Sequence, residues 1–427
     1  MKVNDNEYRK ITQILCEELI PAMGCTEPIA LALAAATAKK YLGELPQKIN
    51  VKASISIIKN VKSVVVPHTC NLKGIEAAVG VGAFAGDADK KLEVISGVSK
   101  TDSERIEEYI KNTPINIESI DSDLPLDVTV TVYAKSNSVS VRIANSHTNI
   151  VYIEKNGEVI LNIPVKCESD DGMRDHSFLT GDVIWEYVNC ADITAAEIHD
   201  TIKRQIDCNT AIAREGLNGN YGANIGRTML KSYPNDVYIR ARAYAAAGSD
   251  ARMNGCEMPV IINSGSGNQG ITCCVPVVEY AKELKTDEDK LYRALILSNL
   301  MAIHIKSGLG RLSAFCGAVS AGAAAGAGIA YLHGADKEAV FHTVVNALGI
   351  ISGTICDGAK ASCAAKIAAS VDAGILGYNM YKNGNQFMCG EGIIAKGFEA
   401  NIRNIGRLGK YGMKETNTEI LHMMLNE

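Results

Sequence analysis

The chain has 427 residues, enough for two or three domains and for a sizeable core that needs no disulfide staples. Its 43 basic and 48 acidic residues leave a net charge of −5 with no basic run, which argues against nucleic acid or an anionic membrane surface as a partner. Apolar residues make up 47% but aromatic ones only 5%, so Ala, Val, Ile and Gly must fill the interior.

Residues 8–20 predict a helix that stops near Pro21. A second helix begins at Thr26, where CTEPIALALAAATAKK supplies an N-cap, an early Glu27, Pro28 in the first turn and an Ala-rich body. The pattern changes near residue 49. INVKASISI and VKSVVV read as strands, LKGIEAAVGVGAFAG as a small-residue helix and SERIEEYIKN as an amphipathic one. DVTVTVYAK, SVSVRIA and NIVYIEKNGEVILNI then alternate with period two, the last turning at Asn156-Gly157. After residue 180 the strand signal fades, and helices are predicted over 193–215, 221–232, 236–248, 268–284, 287–306, 313–333, 336–350 and 359–380.

The expected fold class is therefore α+β, a mainly helical domain over 171–427 with an inserted α+β domain, mixed sheet plus helices, over 45–170. The N-terminal helices, residues 1–44, share the Ala-rich character of the helical part and are expected to pack on it. The uncharged stretch Leu312–Ala335 reaches membrane-span length, but its Ala and Gly make a poor lipid-facing surface, and it reads as a buried helix.

Thirteen cysteines is an odd number, and MKVNDNEYRK has no apolar signal-peptide core, so a cytoplasmic, reducing location with free thiols is expected. Cys16, Cys190, Cys208, Cys273 and Cys274 lie in helical or apolar contexts and read as small core residues. Cys70, Cys167, Cys256 and Cys389 carry no specific reading. Four others share a context. Cys356 precedes Asp-Gly, with Cys363 in the first turns of a helix from about Ala359. Cys316 sits in RLSAFCGAVSAG with Ser313 as N-cap, and Cys25 directly precedes the Thr26 cap. At helix N-termini the unpaired N–H groups and the macrodipole favour anions, which predicts lowered thiol pKa values and ligand or nucleophile roles. The C-x6-C spacing of 356 and 363 is neither that of a zinc ribbon nor that of a common ferredoxin. Residue chemistry alone leaves two readings, a metal or cluster site and small thiols buried in a Gly/Ala-packed bundle. SGSGNQGI (264–271) likewise reads either as a loop-to-helix turn or as an anion cradle, in which Ser266, Gly267, Asn268 and Gln269 hold a substrate carboxylate or amino group.

GCTEPIALALA, SGSGNQGI, LSAFCGAVSAGAAAGAGIAYL and TICDGAKASCAAKIA, in that order, resemble the L-cysteine desulfidase family, a relative of the α-chain of iron–sulfur L-serine dehydratases. The likeness runs from about residue 10 to 410. It implies a lyase, independent of pyridoxal phosphate, that uses a [4Fe-4S] cluster held by three cysteines to convert L-cysteine and water to hydrogen sulfide, pyruvate and ammonia. Carried over by motif, the metal ligands are Cys316, Cys356 and Cys363. Cys25 is then a fourth thiol at the site, as general base or acid or as a removable ligand. NSHTN (145–149) is similar to the Ser-His-Thr segment of iron–sulfur serine dehydratases, which implies substrate binding or proton transfer by His147. His68 reads as a turn histidine and His304 as a core histidine. Lys306 and Arg311 either offset cluster or carboxylate charge or are solvated helix-end cations. Asp357 and Lys360 are expected to hold the ligand stretch in shape. The partner is an amino acid, L-cysteine or L-serine, and a homodimer is expected by analogy. The ending HMMLNE lacks the terminal cysteine of some serine dehydratases, which favours cysteine. The rival from another class is a non-catalytic protein holding structural zinc.

Overall fold

The computed structural model describes residues 3–122, 124, 126–165, 176, 178–309 and 313–425. Cys167 and Arg311 lie outside the described residues. The chain opens with α1 (Asp5–Glu18), started by a reciprocal capping box between Asn4 and Glu7. Then come β1 (Pro21–Met23), α2 (Thr26–Leu42), β2 (Lys48–Ser54), α3 (Ile55–Val61), α4 (Gly74–Ala85) and α5 (Lys100–Asn112). β3 (Ile115–Ile120), β4 (Asp127–Ala134), β5 (Asn137–Ala144), β6 (Ile150–Lys155) and β7 (Glu158–Asn162) follow. Helices take over with α6 (Gly181–Cys190), α7 (Ala196–Asn218), α8 (Ile225–Ser232) and α9 (Val237–Met253). After β8 (Pro259–Ile261) come α10 (Gly267–Leu284), α11 (Glu288–Ser307), α12 (Gly317–Leu332), α13 (Lys337–Ile351), α14 (Cys363–Lys382), α15 (Phe398–Arg407) and α16 (Lys414–Leu425). The fold is α+β.

The larger sheet has six strands in the order β3-β2-β4-β5-β6-β7. Only β2 and β3 run parallel; the other neighbours are antiparallel. Val128, Val130 and Val132 are buried while the intervening Thr129, Thr131 and Tyr133 are half-buried, which is the period-two pattern of the sequence written in space. Asn156 and Gly157 both have left-handed φ, +53° and +84°, as the hairpin between β6 and β7 requires. The Ala-rich α2 packs across β4 and β5 and against α4. That differs from the expected docking on the C-terminal helices, where α1 does pack, on α7 and α11. An Ala face fits a Val-rich sheet as readily as another helix, so composition alone does not choose between them.

The helical part is organised around α12, buried along nearly its whole length and flanked by α10, α11, α13 and α14. Gly is needed where α12 crosses α14. A Cβ on Gly374 would stand 2.2 Å from the Gly322 carbonyl oxygen, and one on Gly326 would stand 2.5 Å from the Gly374 oxygen. Gly374→Ala is therefore expected to destabilise the fold by about 1–3 kcal/mol, the cost of forcing packed backbones apart, read as a lower denaturant midpoint at unchanged m-value. Among the described residues no helix is long and apolar enough to cross a membrane.

Several elements differ from expectation. ISIIKNV is the helix α3, not a strand, because β2 has already crossed the sheet by Ser54 and the chain turns away to bury Ser56, Ile57, Lys59 and Asn60. VKSVVV forms only isolated bridges, from Val65 to Lys73 and to Asn254. The half-polar β3, the short β1–β8 pair, α6, α15 and α16 were not predicted; their apolar patterns are too short or too interrupted to stand out. α12 begins at Gly317 with Cys316 as N-cap rather than at Ser313, and α14 begins at Cys363 rather than Ala359.

Candidate functional site

The β1–β8 pairing lays Pro21–Met23 along Pro259–Ile261, immediately upstream of two helix starts. The Thr26 hydroxyl of α2 then donates to the Gly265 carbonyl at 2.9 Å, tying the GCTEP turn to the SGSG loop that opens α10. Gly24 has φ +64°, and a Cβ there would stand 2.9 Å from Pro67, so the tight approach of the 64–72 segment to Cys25 needs glycine. In that segment His68, Cys70 and Asn71 all hold left-handed φ, a concentration of strain beside the site. The His68 side chain, 7% exposed, lies against Glu257 at 3.0 Å, and desolvation, outweighing Glu257, lowers its pKa. It is thus more than a solvated turn histidine.

The thiols arrive on three elements. Phe315 and Ile355 form an antiparallel bridge. Around it the Cys316 N–H donates to the Thr354 carbonyl at 3.0 Å and the Cys356 N–H to the Ala314 carbonyl at 2.6 Å. Cys356 therefore lies in extended chain, not at a helix N-terminus. Cys363 is the first residue of α14, and it packs with Ala359 against a buried cluster of Cys25, Val64 and Met253. All four thiols of the sequence reading thus converge on one region. Gly358, between the last two thiols, has φ +91° and would put a Cβ 2.4 Å from the Lys59 carbonyl oxygen of α3. Gly358→Ala is expected to cost about 1–3 kcal/mol in strain, read as a lower melting temperature.

The expectation of lowered thiol pKa values is not met. Burial pushes Cys316 up to about 12, with Cys356 and Cys363 adding to the effect, and burial also raises Cys363. Cys25 is raised well above its ordinary value, by burial first and by the neighbouring Glu27 second. Desolvation outweighs the helix dipole here, because the dipole acts on thiols that have lost their water.

Cations surround the thiols. The fully buried Lys59 donates to the Cys356 carbonyl at 3.1 Å and also bonds Asn417. Burial lowers its pKa, against the pull of Cys356 and Asp357. Lys366 donates to the Ile355 carbonyl at 2.8 Å and bonds Asp357, which Lys360 pairs at 2.6 Å. Asp357 and Lys360 thus help to fix the backbone between Cys356 and Cys363. Lys306, near the end of α11, is buried rather than solvated, and His304 pairs with Glu399 at 3.0 Å within the core.

A second group of residues was missed by sequence reasoning. The Cys25 thiol donates to Glu27 Oε2 at 3.1 Å, and the Asn60 amide donates to Glu27 Oε1 at 3.2 Å. Burial would raise the Glu27 pKa, but His147, the Cys25 hydrogen bond and Arg252 together hold it below the usual carboxylate value. Arg252, near the end of α9, is buried and donates to Asn268 Oδ1 at 3.1 Å, while its Nε has no partner. Gly267 leaves room for it, since a Cβ there would stand 2.3 Å from that Nε. Gln269, also buried, has its Oε1 without a partner and lies against Gly317, next to Cys316. Ser266 caps α10 through the Gln269 N–H. His147, in the turn between β5 and β6, lies against Gly265, its Cε1 3.4 Å from where a Cβ would sit. The structure therefore brings His147, the SGSG loop and Cys25 together, and adds Glu27, Asn60 and Arg252. Asn268 is committed to Arg252, which makes it a positioning group.

Residues 89–422 match the model of the family described as serine dehydratase alpha chain. The chain belongs to the serine dehydratase alpha chain family. It is also similar over its whole length to proteins named UPF0597, a name that specifies no activity. One from Desulfitobacterium hafniense is 54% identical over 427 residues, covering 100% of this chain and 99% of the relative. Others from Lachnoclostridium phytofermentans and Finegoldia magna are 49% and 46% identical, each over 98% of this chain and 100% of the relative. The serine dehydratase alpha chain family points to a dehydratase-like lyase.

The chemistry of the donor set is compatible with an iron–sulfur cluster. It offers three half-buried thiols on separate elements, small Gly and Ala neighbours, and buried cations to offset negative charge. Among the described residues no group of three His, Cys, Asp or Glu could hold one metal ion. A structural zinc needs its thiolates about 2.3 Å from one point. The ligands of a cube sit on separate irons and need no such convergence.

Proposed function

We propose that this protein is an iron–sulfur-dependent lyase that eliminates the β-substituent of a small L-amino acid, with L-cysteine as substrate. The observation that carries the reading is the juxtaposition of a protonated thiol, an ionised carboxylate and a buried arginine beside three ligand-competent cysteines. Cys316, Cys356 and Cys363 would hold the cluster. When bound it supplies an iron without a protein ligand, a Lewis acid for the substrate carboxylate and the β-sulfur.

The chain supplies the rest. Arg252, oriented by Asn268, offers its unpartnered Nε–H to the substrate carboxylate, and Gln269 Oε1 accepts from the substrate ammonium. Cys25 Sγ takes the Cα proton as it passes its own to Glu27, and Asn60 holds that carboxylate in place. The electron pair left on Cα forms the Cα–Cβ double bond, the Cβ–S bond breaks, and sulfide departs with a proton returned along the same path. The aminoacrylate tautomerises to an imine, and water hydrolyses it to pyruvate and ammonia. His147, beside Gly265 and felt electrostatically by Glu27, closes the substrate side from the sheet.

The second reading is the same elimination with hydroxide leaving, L-serine dehydration, favoured by the family description. Anaerobic reconstitution with iron and sulfide, followed by sulfide and pyruvate assays on L-cysteine and L-serine side by side, decides. Cysteine is expected to give the higher kcat/KM; a serine preference would reassign the leaving group. A colourless protein carrying stoichiometric zinc and releasing no pyruvate would defeat both. The helical part as the site-bearing domain and the 45–170 segment as its cover remain parts of the same proposal.

A further inference from the structure

Away from the thiols, α13, the segment 386–397 and the start of α15 enclose a cleft of about 700 Å³. Its floor is the stacked pair Phe341 and Phe398, ring centroids 4.3 Å apart, with Phe387 and Val345 beside it. Its charged lining holds three acids, Asp182, Glu338 and Glu399, and three bases, Lys337, Lys396 and Arg403. Asp182 is paired with Lys337 at 2.7 Å, and Glu399 accepts from the Gly181 N–H at 2.8 Å and pairs with His304 at 3.0 Å. Lys396 and Arg403 make no ion pair within 4.0 Å among the described residues, although the Arg403 charge helps to lower the pKa of Glu399, and Glu338 lies 3.9 Å from His342. Two buried polar atoms of the lining, His342 Nδ1 and Gln386 Oε1, make no hydrogen bond.

A volume of this size, an aromatic floor and two cations outside any ion pair are the features of a small-ligand site. We infer that this cleft is a second binding site, for an aromatic carboxylate. The ring stacks on Phe341 and Phe398, and the carboxylate meets Lys396 and Arg403. The site is independent of the elimination chemistry, so its test does not involve turnover.

Isothermal titration of the full chain with L-phenylalanine and with phenylpyruvate tests it, since the two share ring and carboxylate and differ in the ammonium group. At least one is expected to bind, with hydrogen exchange slowed in 341–345 and 386–397. Binding of either supports the site, and the difference between the two reads whether the ammonium group is recognised. The exposed double variant K396E/R403E, which leaves the packing intact, is expected to weaken binding at least about tenfold. Val345→Trp, which fills the cleft, is expected to do the same. Absence of binding by both probes at millimolar concentration would overturn the inference, as would binding unaffected by both variants or protection confined to other segments.

Discussion

Replacing any one of Cys316, Cys356 and Cys363 by serine is expected to abolish the broad iron–thiolate absorption near 400 nm and to reduce elimination to background, while the chain stays folded. The three thiols are half-buried and lie on backbone already fixed by other contacts: the Phe315–Ile355 bridge, the Cys316-to-Thr354 bond and the start of α14. The loss is therefore one of ligation rather than of architecture. Serine is a hard oxygen donor in place of a soft thiolate, and iron–sulfur clusters depend on the latter. Circular dichroism and melting of the metal-free variants should match the metal-free parent. A variant of all three cysteines that still took up a stoichiometric cluster would move the site elsewhere.

Glu27→Gln should do the opposite: retain the cluster and lose the chemistry. The amide keeps the shape and still accepts from Asn60, but it cannot take a proton from Cys25. Loss of one positioned acid–base group costs about 10²–10⁴-fold in kcat. KM should change less than kcat, because Glu27 hydrogen-bonds Cys25, Thr26 and Asn60 and meets Arg252 and His147 only through their charge. Cys25→Ser distinguishes relay from ligand. In the relay account it keeps the cluster spectrum and lowers kcat to a similar degree. A Cys25→Ser protein with its cluster and full turnover would remove Cys25 from the mechanism, and a Glu27→Gln protein at parental rate would remove Glu27.

The sequence singles out four cysteines of thirteen by their place before expected helix starts, and the resemblance then assigns three of them as ligands. Their electrostatics were not legible. A helix N-terminus can be read from Cys25-Thr26 or Cys316-Gly317, but the desolvation that reverses its effect depends on what packs above, and that is tertiary. Glu27 read as an ordinary first-turn acid, since an N-terminal carboxylate suits any helix. Arg252 read as part of a helical body, with nothing to show that Gly267 makes room for it fifteen residues later. Lys59 and Asn60 were hidden by a β-branched run that resembles a strand and folds as α3. The period-two strands β4 to β7 were the easiest to foresee, because one buried face fixes register locally. The docking of α2 on that sheet was not, since Ala packs equally well on either kind of surface.

Iron-edge anomalous diffraction from crystals of the anaerobically reconstituted protein would be decisive. A single cluster peak bonded to Cys316, Cys356 and Cys363, with one iron lacking a cysteine ligand on the side of Arg252 and Gln269, is the predicted result. Iron bound at other residues, or a peak closed by four protein thiolates including Cys25 that persists with substrate present, would contradict the account.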